Sequence, residues 1–374
     1  MDTGKEWAMW MILNALPEVG PATFRRLKER FDGRIRDIFS ASFGELAAVG
    51  GVSNAAAKSI AHWRNHFNLD QEQRQLEVAN ARFLLQKDKN YPPLLREIYD
   101  APIGLYAKGE LDLSRSRCVA IVGTRKATLY GLKLAHDFAR ELTSIGCTVV
   151  SGMALGVDSA AHEGALAAEG RTVVVLGSGI DVIYPRENKK LYARIAENGM
   201  IFSEFSMGRK ADRITFPIRN RVIAGMCSHL IVIESDEGGG SMITANMANE
   251  YGRTVMAVPG RVDQQSSRGC HALIRQGATL VGSMDDILEE LGSNCQQNLN
   301  FDAPKTFGLQ NEALTDPVER CIMDFLEANG GASPDEISDA LAMPVHHLVS
   351  RLQLLELRRF LQCDRDGRYA CSKN

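Results

Sequence analysis

From Arg117 to Gly292 the sequence repeats one pattern: a short β-branched apolar run, a turn and a helix-sized segment. The runs are CVAIVG, TVVSG, TVVVLG, MIFSE, HLIVIES, TVMAVPG and TLVG, with segments such as LKLAHDFARELTSIG and ENKKLYARIAENG between them. The runs are continuously apolar instead of alternating, as strands covered on both faces must be. Strands separated by helices come back parallel. The pattern therefore predicts an α/β fold, a Rossmann-like doubly wound and mostly parallel sheet.

The flanks read differently. Residues 1–85 are helical by pattern: WAMWMILNAL, PATFRRLKERF, FGELAAV and NAAAKSIAHW carry apolar residues at helical spacing, broken by Gly and Pro. LPEVGPAT (Leu16–Thr23) and AVGGVSNA (Ala48–Ala55) echo each other, each with glycine in a tight turn before a helix, as in helix-hairpin-helix modules. Such a turn is either a structural corner or a weak DNA contact through helix-start amides. Ser293–Thr315 is polar, without clear periodicity, and reads as a linker. DPVERCIMDFLEAN, SPDEISDALAM and PVHHLVSRLQLLELRRF then read as apolar-faced helices, with Pro317, Pro334 and Pro344 at or near their starts and Asp316 and Ser333 as N-caps. FLQCDRDGRYAC reads as a hairpin turning at Asp366-Gly367, and helices followed by a hairpin give a winged-helix layout. The expected organisation is an N-terminal helical domain over 1–85, a Rossmann-like domain over 86–292, a linker over 293–315 and a winged-helix domain over 316–374.

A net charge of −3 carries no global basic signature, so any nucleic-acid site has to be a local patch. Apolar residues make up 45% and charged residues 24%, a globular composition that excludes disordered and fibrous classes. No run reaches the length of a membrane span, and MDTGKEWAMW lacks the basic start and apolar run of a signal peptide. The eight cysteines are scattered without a C-x-x-C pair, which argues against zinc and for reduced thiols in a cytoplasmic protein.

In an open parallel sheet, ligands bind beyond the carboxyl ends of the strands. The unusual residues collect there: Gly123, Thr124, Arg125 and Lys126 after the first strand, and Ser151, Gly152 and Met153 after the second. Gly177 and Ser178, in GSGIDVIYP, follow the third, and Gly240 and Ser241, in EGGGSMITA, follow the fifth. Glycine admits close backbone approach, and loop amides and helix starts offer N–H donors to an anion. A dinucleotide loop reads G-x-G-x-x-G, yet Arg125 stands where the second glycine belongs. FPIRNRVIAG adds Phe216, Arg219, Asn220 and Arg221. Residues two apart on a helix point in different directions. One arginine is thus expected at the sheet edge and the other in an internal contact with Asp158, Asp181 or Glu204. Phe216 either stacks on a base or belongs to the core. A cationic rim around a glycine-lined pocket suits a phosphate chain better than a closed cofactor site.

Catalytic signals are thin. The sequence has no G-K-[ST] loop, no H-E-x-x-H or H-x-H spacing and no G-x-S-x-G elbow. His162 and His271 sit in helical segments, where packing or surface exposure is the ordinary role and acid–base work the alternative. His346 and His347 read as helix-face residues.

VGTR, SGMALGVDSAAH, VLGSGIDVIYP with Asn188, FSE, FPIRNRVIAG, GGGSMITA and AVPG, in this order, resemble the bacterial DNA processing protein A family, also called Smf. The helical front and the winged-helix tail match members with a three-part layout. The resemblance implies a non-catalytic homodimer with no cofactor or metal. Such a protein binds and protects single-stranded DNA and loads the RecA recombinase onto it in natural transformation and homologous recombination. It puts the family's DNA-binding pocket on Gly123, Thr124, Arg125, Ser151, Gly152, Phe216, Arg219 and Arg221. One departure is SRGCHALI (Ser267–Ile274), where the family usually has Asn in place of His271.

Two other functions compete. GGGSMITA is faintly similar to the P-G-G-x-G-T-x-x-E loop of phosphoribohydrolases, but Thr244-Ala245 fall where the catalytic glutamate is needed. A double-strand DNA regulator is the other, with Arg351, Arg358 and Arg359 on a recognition helix and Arg365 and Arg368 on the wing. Against it, LVSRLQLLEL is strongly apolar and carries Glu356. Contact with another protein is the equal alternative for that domain.

Overall fold

The computed structural model describes residues 6–114 and 116–293, and beyond them 321–326, 331–341, 343, 348, 351–352, 355, 360–363 and 368–371. The chain divides into two compact units, Met1–Gln297 and Asn298–Asn374.

The first unit opens with six helices: α1 Glu6–Ala15, α2 Pro21–Arg30, α3 Ile35–Ser40, α4 Phe43–Ala47, α5 Asn54–Ala61 and α6 Leu69–Val78. Arg26, on the helix that follows the first echoing glycine turn, reaches the second, its guanidinium donating to the Gly51 carbonyl at 2.6 Å. The α5 start is capped within the chain, since the Ser53 hydroxyl accepts from the Ala56 amide at 3.0 Å.

The sheet follows: β1 Arg82–Leu85, β2 Gly104–Gly109, β3 Cys118–Gly123, β4 Thr148–Ser151, β5 Thr172–Leu176, β6 Met200–Ser203, β7 His229–Ile233, β8 Thr254–Ala257 and β9 Thr279–Leu280. Its order is β1-β2-β6-β5-β4-β3-β7-β8-β9. The seven runs recognised in the sequence are β3 to β9 and pair in parallel. β1 and β2 add an antiparallel edge that the apolar pattern did not reveal.

The remaining helices are α7 Pro93–Glu97, α8 Leu129–Ser144, α9 Val157–Ala167, α10 Lys189–Asn198, α11 Thr215–Met226, α12 Gly240–Glu250, α13 Gln265–Arg275 and α14 Met284–Ser293. They cover both faces, which is why the strands are apolar throughout. On β3, Ala120 and Val122 join one core, and Val119 and Ile121 join the other with Phe138 and Leu142. The helical front packs on the β5–β6–β2 side, where Trp10, Ile12 and Leu13 share a core with Val174, Ile201 and Tyr106. Buried Glu72 joins the layers, accepting from the Tyr106 hydroxyl at 2.7 Å and the Met207 amide at 2.8 Å. Burial pushes its carboxyl up, against the pull of those two donors.

The strand order sets the place of a site. The chain steps outward from β3 through β4 and β5 to β6, then crosses to β7 on the other side of β3. The helices on either side diverge at this switch point, so a crevice opens beyond the ends of β3 and β7.

The second unit holds a helix over 321–326, α15 Pro334–Leu341, and a hairpin of β10 Leu361–Cys363 with β11 Tyr369–Cys371. Ala332 bridges to Tyr369, and Ile322, Leu326, Ile337, Leu348, Leu352, Leu355 and Leu361 form its core, a winged-helix layout. Ser333 and Glu336 reciprocate at the α15 start, the Ser333 amide donating to the Glu336 carboxylate at 2.8 Å. Arg368 of the wing pairs with Glu336 at 3.0 Å. The linker from residue 294 on, His346, His347, Glu356, Arg358, Arg359 and Arg365 lie outside the described residues. Among the described residues no helix is long and apolar enough to cross a membrane.

Candidate functional site

The loop after β3 is pinned at both ends. The Thr124 amide donates to the Glu234 carbonyl at 2.7 Å, and the Thr128 amide and hydroxyl donate to the Glu234 carboxylate at 2.8 and 2.5 Å. Thr128 also caps α8, accepting from the Gly131 amide at 3.2 Å. Between these anchors Arg125 and Lys126 are exposed. Gly123 is required at the strand end, because a Cβ there would lie 1.9 Å from the Ile233 carbonyl oxygen of the neighbouring strand.

A groove of about 480 Å³ opens at the switch point. Gly123, Thr124, Arg125 and Lys126 form one wall; Phe216, Arg219 and Asn220 of α11 and Gly239, Gly240 and Ser241 at the α12 start complete it. The N-cap of α12 is Gly239, with no side-chain cap, so the first amides of that helix are left for another acceptor. Asn220 ties the two helices together, its amide donating to the Gly240 carbonyl at 3.1 Å. Arg213, exposed at the mouth, adds a cation that the sequence reading missed.

The glycine loop after β4 departs from expectation. Its amides were expected to face an anion, yet those of Gly152 and Ala154 donate to the Asp158 carboxylate at 3.1 and 3.3 Å. Asp158 is buried beneath the loop and serves as the internal anion. Ser151 and Met153 are fully buried and line neither the groove nor the slot beside it. The Ser151 hydroxyl donates to the Ile121 carbonyl at 2.7 Å, and the Met153 carbonyl accepts from Asn188 at 2.8 Å. Gly177 and Ser178 line a slot of about 50 Å³ with Gly152, Leu155, Tyr184, Phe216 and Arg219. The Ser178 hydroxyl is held by the Val182 carbonyl at 2.7 Å.

The two arginines of α11 part company. Arg219 borders the groove but is buried, donating to the Val175 carbonyl at 3.0 Å and to the Gly152 carbonyl, with its Nε on Asn220 Oδ1 at 3.0 Å. A Cβ at Gly152 would come within 1.8 Å of its guanidinium, so glycine is what admits this contact. Burial pushes the Asp158 carboxyl up and the Arg219 guanidinium down, each opposed by the other. Arg221, expected on the rim with the other binding residues, lies away from the groove. It is buried, its guanidinium bonded to both Glu204 carboxylate oxygens and to the Asp100 carbonyl. Of the expected rim, Arg125 and Lys126 are the exposed cations.

Phe216 lies under that rim. The Arg125 guanidinium stands 4.8 Å from the ring centroid and that of Arg219 6.0 Å, with the Tyr184 ring at 5.7 Å and tilted by 41°. Tyr184 stood in the loop sequence GSGIDVIYP without an assigned part.

The histidines resolve simply. His162 is fully buried, with Nδ1 2.7 Å from the Thr172 hydroxyl, and burial holds its imidazole down at about 3. His271 closes the turn after β8, its Nε2 3.0 Å from the Gly260 carbonyl oxygen. Cys118 and Cys270 are buried thiols, pushed up to about 12 and about 11 by burial. Among the described residues no three His, Cys, Asp or Glu side chains gather where they could hold a metal ion.

Residues 82–292 match the family model for DNA recombination-mediator protein A. Protein Smf of Synechocystis sp. is 37% identical over 292 residues, covering 77% of this chain and 73% of its own. The X-ray structure of DNA processing protein A (DprA) from Streptococcus pneumoniae superposes with a TM-score of 0.65 at 35% identity, over 75% of this chain and 96% of that one. The DNA processing protein A of Helicobacter pylori, solved for its single-stranded DNA binding mode, superposes with a TM-score of 0.52 at 31% identity, over 57% of this chain and 96% of that one.

Proposed function

The chain belongs to the DNA recombination-mediator protein A family, and we propose that it binds single-stranded DNA in the groove at the switch point of its sheet. One observation carries the reading: Arg125 and Lys126 stand exposed over an open groove whose far wall is the uncapped start of α12. Exposed cations and helix-start amides suit consecutive phosphates, and an open groove suits a strand that continues past it. The Helicobacter pylori relative, solved for its single-stranded DNA binding mode, supports the same assignment.

The strand would bring its phosphates to Arg125 and Lys126 and a phosphate oxygen to the amides of Gly240 and Ser241. Arg219, Asn220 and Asp158 hold the groove's shape beneath. With little side-chain hydrogen bonding left for base edges, affinity comes from the backbone and sequence readout is weak. Protection of incoming DNA, loading of RecA in natural transformation and homologous recombination, and a homodimeric state are the finer parts of this proposal. They rest on family membership alone. So does the non-enzymatic reading, against a phosphoribohydrolase-like alternative.

The test is competition. A fluorescent oligothymidine bound by the full chain should be displaced by unlabelled oligothymidine, and at least tenfold less well by duplex of equal length or by AMP. Displacement by AMP at concentrations comparable to the oligonucleotide would mean a small-nucleotide pocket, and release of free base from it would revive the enzyme reading.

A further inference from the structure

Glu234, the residue after β7, has a φ of +48°, in the left-handed region that a residue other than glycine enters at a cost. It is also buried, at 7% exposure, and among the described residues no cation pairs with its carboxylate. A buried carboxylate without a cation must be offset by the hydrogen bonds it accepts. Those come from Thr128, the amide at 2.8 Å and the hydroxyl at 2.5 Å, while the Glu234 carbonyl accepts from the Thr124 amide at 2.7 Å. One strained residue thus holds both ends of Thr124–Thr128, the stretch that carries Arg125 and Lys126. The helix that follows is fitted to it: a Cβ at Gly131 would lie 2.6 Å from the Glu234 carboxylate.

We propose that Glu234 is a positioning residue, clasping the β3–α8 loop so that Arg125 and Lys126 are already in place when a phosphate chain arrives. The inference rests on the single-strand reading above. The sign of the electrostatics separates this role from a direct one. An anion behind a phosphate site repels the ligand, so loss of the Glu234 charge alone would strengthen binding. Loss of the clasp does the reverse: the loop must then be ordered as the strand binds, and affinity falls. The contacts in the complex stay the same, so the number of phosphates neutralised is unchanged.

The experiment is oligothymidine binding over a salt series by the full chain, unaltered and carrying Glu234→Gly, Glu234→Gln, Thr128→Ala, Thr128→Ser or the pair Arg125→Ala and Lys126→Ala. Glycine keeps the Glu234 carbonyl and suits the left-handed backbone, so Glu234→Gly removes the carboxylate without adding strain. It should bind about fivefold to thirtyfold more weakly, the cost of ordering one loop residue, at an unchanged salt slope. Glu234→Gln loses the charge but keeps an acceptor for the Thr128 amide, and should bind at least as tightly as the unaltered chain. Thr128→Ala should fall between Glu234→Gly and the unaltered chain, and Thr128→Ser, which keeps the hydroxyl, should match the unaltered chain. Added to the Arg125→Ala and Lys126→Ala pair, Glu234→Gly should change binding by less than about twofold, because no cation is left to position. Glu234→Gly binding as well as the unaltered chain, a slope that falls with the affinity, or an equal loss on the alanine pair overturns the clasp. Should Glu234→Gly fail to fold, equal affinities in Thr128→Ala and Thr128→Ser overturn it instead. If the alanine pair itself binds like the unaltered chain, the single-strand reading fails and the clasp goes with it.

Discussion

Arg221→Ala should lower the unfolding free energy of the first unit by about 3–5 kcal/mol, the cost of breaking a buried ion pair by removing one partner. Arg221 is 8% exposed and its partner Glu204 12%, so the carboxylate left behind has little water to turn to. The Asp100 carbonyl loses its donor as well. The deficit should depend on pH. Burial raises the Glu204 carboxyl and Arg221 opposes that shift, so without the arginine it rises further. A carboxyl raised on folding contributes stability below its unfolded value and loses it as pH climbs through the folded one. The variant's deficit should therefore be smaller near pH 5 than near pH 8. Urea midpoints at the two pH values check both statements. A loss under about 1 kcal/mol, the range of an exposed pair, would contradict the placement of Arg221.

Arg219→Ala should cost a similar amount, about 3–5 kcal/mol, for a different reason. Here the guanidinium satisfies two main-chain carbonyls, those of Gly152 and Val175, and neutralises buried Asp158. Removing it leaves both carbonyls without this donor and Asp158 without its cationic neighbour, the amides of Gly152 and Ala154 still donating to it. Adding Asp158→Asn to Arg219→Ala should recover part of the loss, because the uncompensated charge is removed. Urea unfolding of the two single variants and the double variant measures that coupling. Strict additivity would mean that the two side chains do not act as a unit.

These two arginines also show how far the sequence could be read. A two-residue spacing on a helix says that one points to the sheet edge and the other inward, and the structure has Arg219 bordering the groove and Arg221 on Glu204. Which was which depended on the rotation of α11 against the sheet, and that is set by packing. The parallel strands were legible because burial on both faces leaves an unbroken apolar run, as in Val173–Leu176. β1 and β2 were not: β1 is four residues long at the edge of the sheet, and β2, GLYAKG, carries glycines and a lysine in place of an unbroken apolar run. The amides after β4 read as anion donors, but a buried carboxylate six residues on from Gly152 takes them. Tyr184 gave no signal because a loop has no periodicity by which to tell an exposed ring from a packed one.

The central claim is that the exposed cations of the β3–α8 loop contact a phosphate chain. The measurement that tests it most directly is the salt dependence of oligothymidine binding by the unaltered chain and by Arg125→Ala. Each phosphate neutralised on a single strand contributes about −0.7 to the slope of log K against log salt. Arg125→Ala should bind more weakly and have a slope shallower by about 0.7, one contact fewer. An unchanged slope in Arg125→Ala would contradict the assignment and move the strand off this edge of the sheet.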